Sequence, residues 1–167
     1  MFVGVRSEAQ LLEEYANLLS RVAQKAPEAR IAGVLVAQMV QGGVELILGA
    51  RKDPVFGPMV MVGLGGIFAE IFKDVALQPA PVDEAQAAAM LRSLKAFPLL
   101  DGARGRPKAD VQAAAKAIAA LSRFAVRHAD GVSEIDINPL VVLEQGRGAH
   151  ALDALLVPEE HAMKGKQ

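Results

Sequence analysis

Apolar positions recur at helical spacing near the start of the chain. Leu11, Leu12, Tyr15, Leu18, Leu19 and Val22 fall on one face of a helix predicted from Ser7 to about Lys25. Ser7 and Gln10 have capping-box spacing, and Pro27 ends the segment. From Ile31 the period changes. Ile31 to Val40 is a continuous apolar run of strand length, followed by a turn at Gly42-Gly43. Val44 to Arg51 alternates, and Pro58 to Gly66 reads as another apolar strand, with a hairpin loop from Asp53 to Pro58 between them. Three strands joined by short connections predict an antiparallel meander.

Beyond Gly66 the chain passes through Ile67 to Asp74 and a short extended piece, Val75 to Pro81. Asp83 with Gln86 caps a second helix that carries Met90, Leu91 and Leu94 and stops before Pro98. A glycine- and arginine-rich loop follows from Asp101 to Pro107. A third helix is predicted from about Lys108 to His128, with Val111, Ala115, Ile118, Leu121 and Ala125 along one face. Val132 to Val157 then reads as strand, kink at Pro139, strand, turn at Gly146 to Gly148, and strand. Residues 158–167 are polar and predicted to fray. The fold class is α+β.

Composition narrows the function classes. The 167 residues carry 18 Lys and Arg against 19 Asp and Glu, a formal charge of −1. That balance argues against binding nucleic acid or anionic lipid by bulk electrostatics. No cysteine is present, which excludes disulfides, thiolate metal sites and a cysteine nucleophile and fits a cytoplasmic chain. The uncharged stretch from Pro54 to Ala69 is too short and glycine-rich to span a bilayer. The six methionines, Met39, Met59 and Met61 among them, read as core filler.

Two residue pairs and one turn carry candidate chemistry. Folding the last hairpin about Gly146 to Gly148 sets Leu143 opposite Ala149, so Pro139 lies near Asp153 and Asn138 within one position of it. An amide oxygen beside a carboxylate suits a hard cation such as Mg²⁺. The same residues also read as a kink and an exposed strand carboxylate. Asp136 shares strand parity with Asn138. Glu45 and Arg51 share parity on one strand; the carboxylate fits ribose hydroxyls or a cation and the guanidinium fits phosphate, or the two belong to a solvated face with a cross-strand ion pair. Gly63-Leu64-Gly65-Gly66 fits phosphate contact or a tight turn. It is no dinucleotide fingerprint, because Phe68 stands at the last glycine position, and no Gly-Lys-Ser/Thr follows for a P-loop. Glu70 just beyond it is a helix-start carboxylate or a site acid. His128, His150 and His161 have neither ligand nor triad spacing, and His128 complements a helix C-terminus. Arg104, Arg106 and Lys108 form a local basic loop.

Taken in order, GVLVAQMVQGGVELILGARKDPVFGPMVMVGLGGIFAEIFKDVAL (Gly33 to Leu77), PLLDGARGRP, EIDINPLVV and ALDALLV resemble the ATP-grasp domain of NDP-forming (ADP-forming) acyl-CoA synthetases. These are relatives of the succinyl-CoA synthetase β subunit. The resemblance covers nearly the whole chain. It implies that residues 1–157 are the C-terminal part of an ATP-grasp domain, a mainly antiparallel sheet flanked by helices, with a flexible tail at 158–167. The reaction implied is acid + CoA + ATP to acyl-CoA + ADP + phosphate, through an acyl phosphate and a phosphohistidine.

By position in the motifs, Asn138 and Asp153 would be Mg²⁺ ligands and Glu45 a nucleotide-site carboxylate. Val36 to Met39, with Gln38 among them, would form the hinge against adenine. Arg51 and the Gly65-Gly66 turn would lie near the phosphates of ATP or ADP. Asp136 would meet the incoming phosphohistidine. The lobe with the phosphate-binding lysine, the CoA-binding part and the phosphohistidine loop are expected as partners outside these residues, with the isolated chain inactive. The other readings are a non-catalytic nucleotide-sensing module and an oligomerisation module that forms homo-oligomers through its long apolar runs.

Overall fold

The structure is a computed structural model that describes residues 1–65 and 74–159, apart from the side chain of Arg104. Gly66, Glu70, His161 and nearly all of the tail expected at 158–167 lie outside the described residues. The chain divides into two units, residues 1–41 and 42–167.

In the first unit, helix α1 spans Glu8–Lys25. Ser7 caps it, accepting the Gln10 N–H at 3.2 Å. The Gln10 amide oxygen takes the Arg6 N–H at 3.0 Å, where a capping box would use that of Ser7. None of the α1 residues is buried. Its apolar face lines an open groove of about 790 Å³, shared with Val34, Leu35, Val36 and Met39. The strand predicted at Ile31–Val40 does not form, and Leu35 is 91% exposed. A strand exists through its ladder, and residues 1–41 hold no second strand to supply one.

The second unit is a six-stranded sheet with helices on one face. Strands β1 (Val44–Asp53), β2 (Gly57–Leu64) and β3 (Val75–Pro79) form an antiparallel meander. It is therefore shifted from the predicted one, with the short extended piece as its last strand. Helix α2 (Glu84–Ser93) follows, with Asp83 and Gln86 completing a reciprocal capping box. Helix α3 is short (Phe97–Leu100), with Pro98 in its first turn where a missing N–H costs nothing. Helix α4 (Val111–Arg127) leads into β4 (Val132–Val142), β5 (Ala149–Ala151) and β6 (Ala154–Pro158). The sheet order is β3-β2-β1-β4-β5, with β6 also on β4. Every described pairing is antiparallel, and the α+β class follows.

Alternation decides which sheet face is covered. Leu46, Leu48 and Ala50 of β1 and Val60 and Val62 of β2 point to the helices, where Leu91, Ala115 and Ile118 meet them. Each fully buried leucine or isoleucine contributes roughly 1.5–3 kcal/mol. The predicted face of α4 is the buried one, apart from Val111, which is half-buried. The loop predicted from Asp101 to Pro107 contains one 3₁₀ turn, Ala103–Gly105, and is tied back by a backbone bond. Ala109 N–H bonds Leu100 C=O at 2.8 Å, and Gly102 sits at φ +88 with no room for a Cβ against the Arg106 carbonyl. No helix among the described residues is long and apolar enough to cross a membrane.

One buried hydroxyl joins α4 to the chain between β3 and α2. Ser122 is fully buried; it accepts the Val82 N–H at 3.0 Å and donates to the Ala119 carbonyl at 2.9 Å. Ser122→Ala leaves that N–H without an acceptor and is expected to lower the unfolding free energy by about 1–3 kcal/mol in urea titrations. A loss under about 0.5 kcal/mol would contradict this role.

Candidate functional site

The candidate site lies on the face of the sheet opposite α2 and α4. Along β1 the residues opposed to the core are Glu45, Ile47, Gly49 and Arg51. Pairing carries that face across the sheet. Leu77, Met61, Gly49, Asp136 and Leu155 form one row over β3, β2, β1, β4 and β6. Met61 leans over the bare Gly49, its terminal methyl 3.3 Å from where a Cβ would stand. Met59 and Met61 are therefore half-buried on this outer face and Met39 is exposed, so none of the three fills the core.

Asn138 and Asp153 fall opposite one another in the register that β5 and β6 share against β4, beside an irregularity in the ladder. Leu46 pairs with Leu140 and Leu48 with Ile137, so Asn138 and Pro139 together face Ile47. On the far side of β4, β5 pairs with Leu140 to Val142 and β6 with Val132 to Ile137. The gap between β5 and β6 is Leu152 and Asp153. It faces the bulge: Leu152 N–H bonds Pro139 C=O at 3.0 Å, and Asn138 N–H bonds Asp153 C=O at 3.2 Å. The register differs by one residue from expectation, with Val142 opposite Ala149, and Asn138 takes the place expected for Pro139. Both side chains are exposed, and Asp153 Oδ1 accepts the Ala154 N–H at 2.8 Å. Asp136, two positions from Asn138, is half-buried.

The donor set fits a hard cation. Among the described residues no three or more His, Asp or Glu side chains cluster to hold a metal by themselves. An amide and a carboxylate oxygen at an exposed position instead suit an ion that keeps waters or phosphate oxygens as its other ligands, as Mg²⁺ does.

Glu45 and Arg51 are both exposed but lie six residues apart, about 20 Å along the strand. They do not converge. Arg51 stands opposite Glu134, yet forms no ion pair within 4.0 Å among the described residues. Gly65 rests on Glu45: its N–H bonds the Glu45 carbonyl at 2.7 Å, and an added Cβ would sit 2.9 Å from that of Glu45. Val36, Gln38 and Met39 are exposed residues of the first unit, and all three line its groove.

Two carboxylates that sequence reasoning passed over tie loops down. Asp110 caps α4 and also binds the turn after β4, accepting N–H groups from Ala113, Gly146 and Gly148 at 3.0 Å each. These bonds, that of Ala113 foremost, hold its carboxyl below the ordinary 3.8, with Lys116 assisting and partial burial opposing. An acid just ahead of an apolar-periodic run was the available signal for the cap, though not for the turn. Asp53 accepts the Phe56 and Val55 N–H groups across the β1–β2 turn, which likewise lowers its pKa. His128 is the C-cap residue of α4, where its ring lies 4.3 Å from that of Phe124.

Known proteins with this architecture identify the family. A profile described as ATP-grasp domain matches residues 1–157, and the chain belongs to that family. It is 43% identical over 139 residues to acetate–CoA ligase [ADP-forming] I of Archaeoglobus fulgidus, covering 83% of this chain and 20% of that protein. It is 36% identical over 157 residues to the β subunit of acetate–CoA ligase [ADP-forming] II of Pyrococcus furiosus, covering 94% of this chain and 66% of that subunit. The dinucleotide forming acetyl-coenzyme A synthetase 1 of Ca. Korarchaeum cryptofilum superposes with a TM-score of 0.80 at 34% identity, covering 95% of this chain and 67% of that one. That structure holds coenzyme A and Mg-AMPPCP, with its phosphohistidine segment pointing towards the nucleotide binding site. The chain thus spans between a fifth and two thirds of the length of these ligases, as an ATP-grasp domain of the ADP-forming acyl-CoA synthetase type.

Two outcomes follow from this geometry. Gly65→Ala forces a Cβ into the Glu45 backbone and is expected to cost about 1–3 kcal/mol in thermal or urea unfolding, whereas unchanged stability would contradict the close approach. The second concerns acid. A carboxyl held below 3.8 binds fewer protons folded than unfolded, so its stabilisation is present above that value and is lost as pH falls through the native pKa. Urea midpoints followed from about pH 5 down to 2 should fall less steeply in Asp110→Asn and Asp53→Asn than in the unsubstituted chain.

Proposed function

We propose that the outer face of the sheet binds Mg²⁺ with ATP or ADP, and that the chain is the nucleotide-binding part of an ADP-forming acyl-CoA synthetase. The whole enzyme would convert acid, CoA and ATP to acyl-CoA, ADP and phosphate. The observation that carries this reading is the pairing of Asn138 with Asp153 across the gap between β5 and β6. The Mg-AMPPCP held by the Korarchaeum synthetase supports it.

Asn138 and Asp153 would each give one oxygen to Mg²⁺. When bound, the ion neutralises phosphate charge during phosphoryl transfer. The remaining roles follow the order of residues along the face. Glu45, near one end, accepts hydrogen bonds from ribose hydroxyls. Asp136 lies two positions beyond Asn138 and meets the imidazole that carries the phosphoryl group. Arg51, with no ion-pair partner within reach among the described residues, is free to clamp phosphate oxygens at the far end. Gly65, whose N–H bonds the Glu45 carbonyl, would lie near the phosphates. For Val36, Gln38 and Met39 of the first unit, the resemblance alone suggests an adenine hinge, partly through backbone groups. The phosphohistidine segment, the CoA site and the phosphate-binding lysine belong to polypeptide beyond these 167 residues. The isolated chain is accordingly a half-site that binds without turning over.

Calorimetric titration of Mg²⁺–ADP into the chain tests the reading. Magnesium-dependent heat that disappears in both Asn138→Ala and Asp153→Ala is the expected result. Binding that survives both substitutions would remove the metal assignment.

A further inference from the structure

We propose that Asp110 is a positioning residue for the Asn138–Asp153 pair and acts through the turn between β4 and β5. Its two carboxylate oxygens have separate tasks. Oδ1 accepts the Ala113 N–H and caps α4; Oδ2 accepts the N–H groups of both Gly146 and Gly148. Both glycines are left-handed at φ +83, a conformation that suits a tight turn and costs other residues energy. Three backbone bonds complete the junction. Asp110 N–H meets Leu143 C=O at 2.8 Å, Gln145 N–H meets Lys108 C=O at 2.8 Å, and Leu143 N–H meets Gly148 C=O at 3.0 Å. The turn is thereby fastened to the first residues of a helix whose Ala114, Ala115 and Ile118 are fully buried.

Register is what this fastening controls. A hairpin's register is set at its turn, and a one-residue slip sends every later side chain to the opposite face. Strand β5 has only three residues, and two of them are exposed. It has little burial of its own with which to resist a slip. A slip in either direction would set Leu152 or Ala154 opposite Asn138 and take the Asp153 carboxylate away from it. The functional consequence rests on the magnesium reading above, whereas the effect on register does not.

Asp110→Asn separates the two tasks. Asparagine keeps one oxygen for Ala113 and caps helices as well as aspartate does, but its amide nitrogen accepts nothing from Gly146 or Gly148. Two measurements on the full chain compare this variant with the unsubstituted protein: amide hydrogen exchange by NMR, and Mn²⁺ affinity by electron paramagnetic resonance in the presence of ADP. Exchange at the Asn138 and Leu152 amides is expected to rise about tenfold or more, while Ile118 and Leu121 in α4 stay unchanged. Mn²⁺ binding is expected to weaken roughly tenfold, as for other groups that orient a metal ligand from behind. Unchanged exchange at Asn138 and Leu152 would overturn the proposal. So would equal acceleration at Ile118 and Leu121, since the effect would then be general destabilisation. Should Asp110→Asn fail to fold, Asp110→Ser retains a capping oxygen on a shorter side chain and is held to the same pattern. An unsubstituted chain that takes up no Mn²⁺ would remove the magnesium reading alone, and the exchange comparison would still decide the role of Asp110.

Discussion

The antiparallel register of β4 against the segment that returns along its outer edge is the constraint on which the candidate site depends. Side chains alternate with a period of two, so register decides both which residues pair and which face they share. On its core side β4 is anchored by Ile135, Leu140 and Val142, all buried. On its outer side the returning segment is interrupted at Leu152 and Asp153, opposite the bulge at Asn138 and Pro139. The register is the same on both sides of the interruption, so Asn138 stands opposite Asp153, both exposed, on the face of the sheet opposite α2 and α4.

The two faces of the sheet differ in chemistry. The covered face is aliphatic and packed by the small-residue surface of α4, where Ala114, Ala115 and Ala119 let the helix approach closely. The opposite face combines Met61, Leu77 and Leu155 with Asp136, around the bare Gly49. An apolar bed with a few placed polar groups is the usual make-up of a small-ligand site. The glycines on this face answer to space more than to torsion: Gly63 and Gly65 have no φ in the left-handed range, yet a Cβ on either would meet a neighbour at 2.9 Å.

What could be read from the sequence was mostly local. Ser7 with Gln10 and Asp83 with Gln86 sit three residues apart, and their helices start where those caps place them. The buried face of α4 followed from its period, and the last hairpin from its glycine turn. Contacts between distant parts were illegible. Asp110 meets Gly146 and Gly148 across 36 and 38 residues, and Ser122 meets Val82 across 40. The apolar run at Ile31–Val40 shows a further limit, because composition marks a segment able to pair but not whether a partner is present. Counting residues about the turn missed the register of Asn138 and Asp153 by one, since turn type as well as length sets the first pair. Family resemblance supplied roles for these residues, and the sheet supplied the neighbourhood of one pair.

If Asn138 and Asp153 jointly hold a metal ion on the nucleotide, anomalous diffraction from crystals grown with Mn²⁺ and ADP will locate it. The expected result is one manganese peak bound directly by both side chains, with nucleotide phosphate oxygens among its remaining ligands. A nucleotide with its manganese bound by neither residue, or a peak elsewhere on the chain, would contradict it.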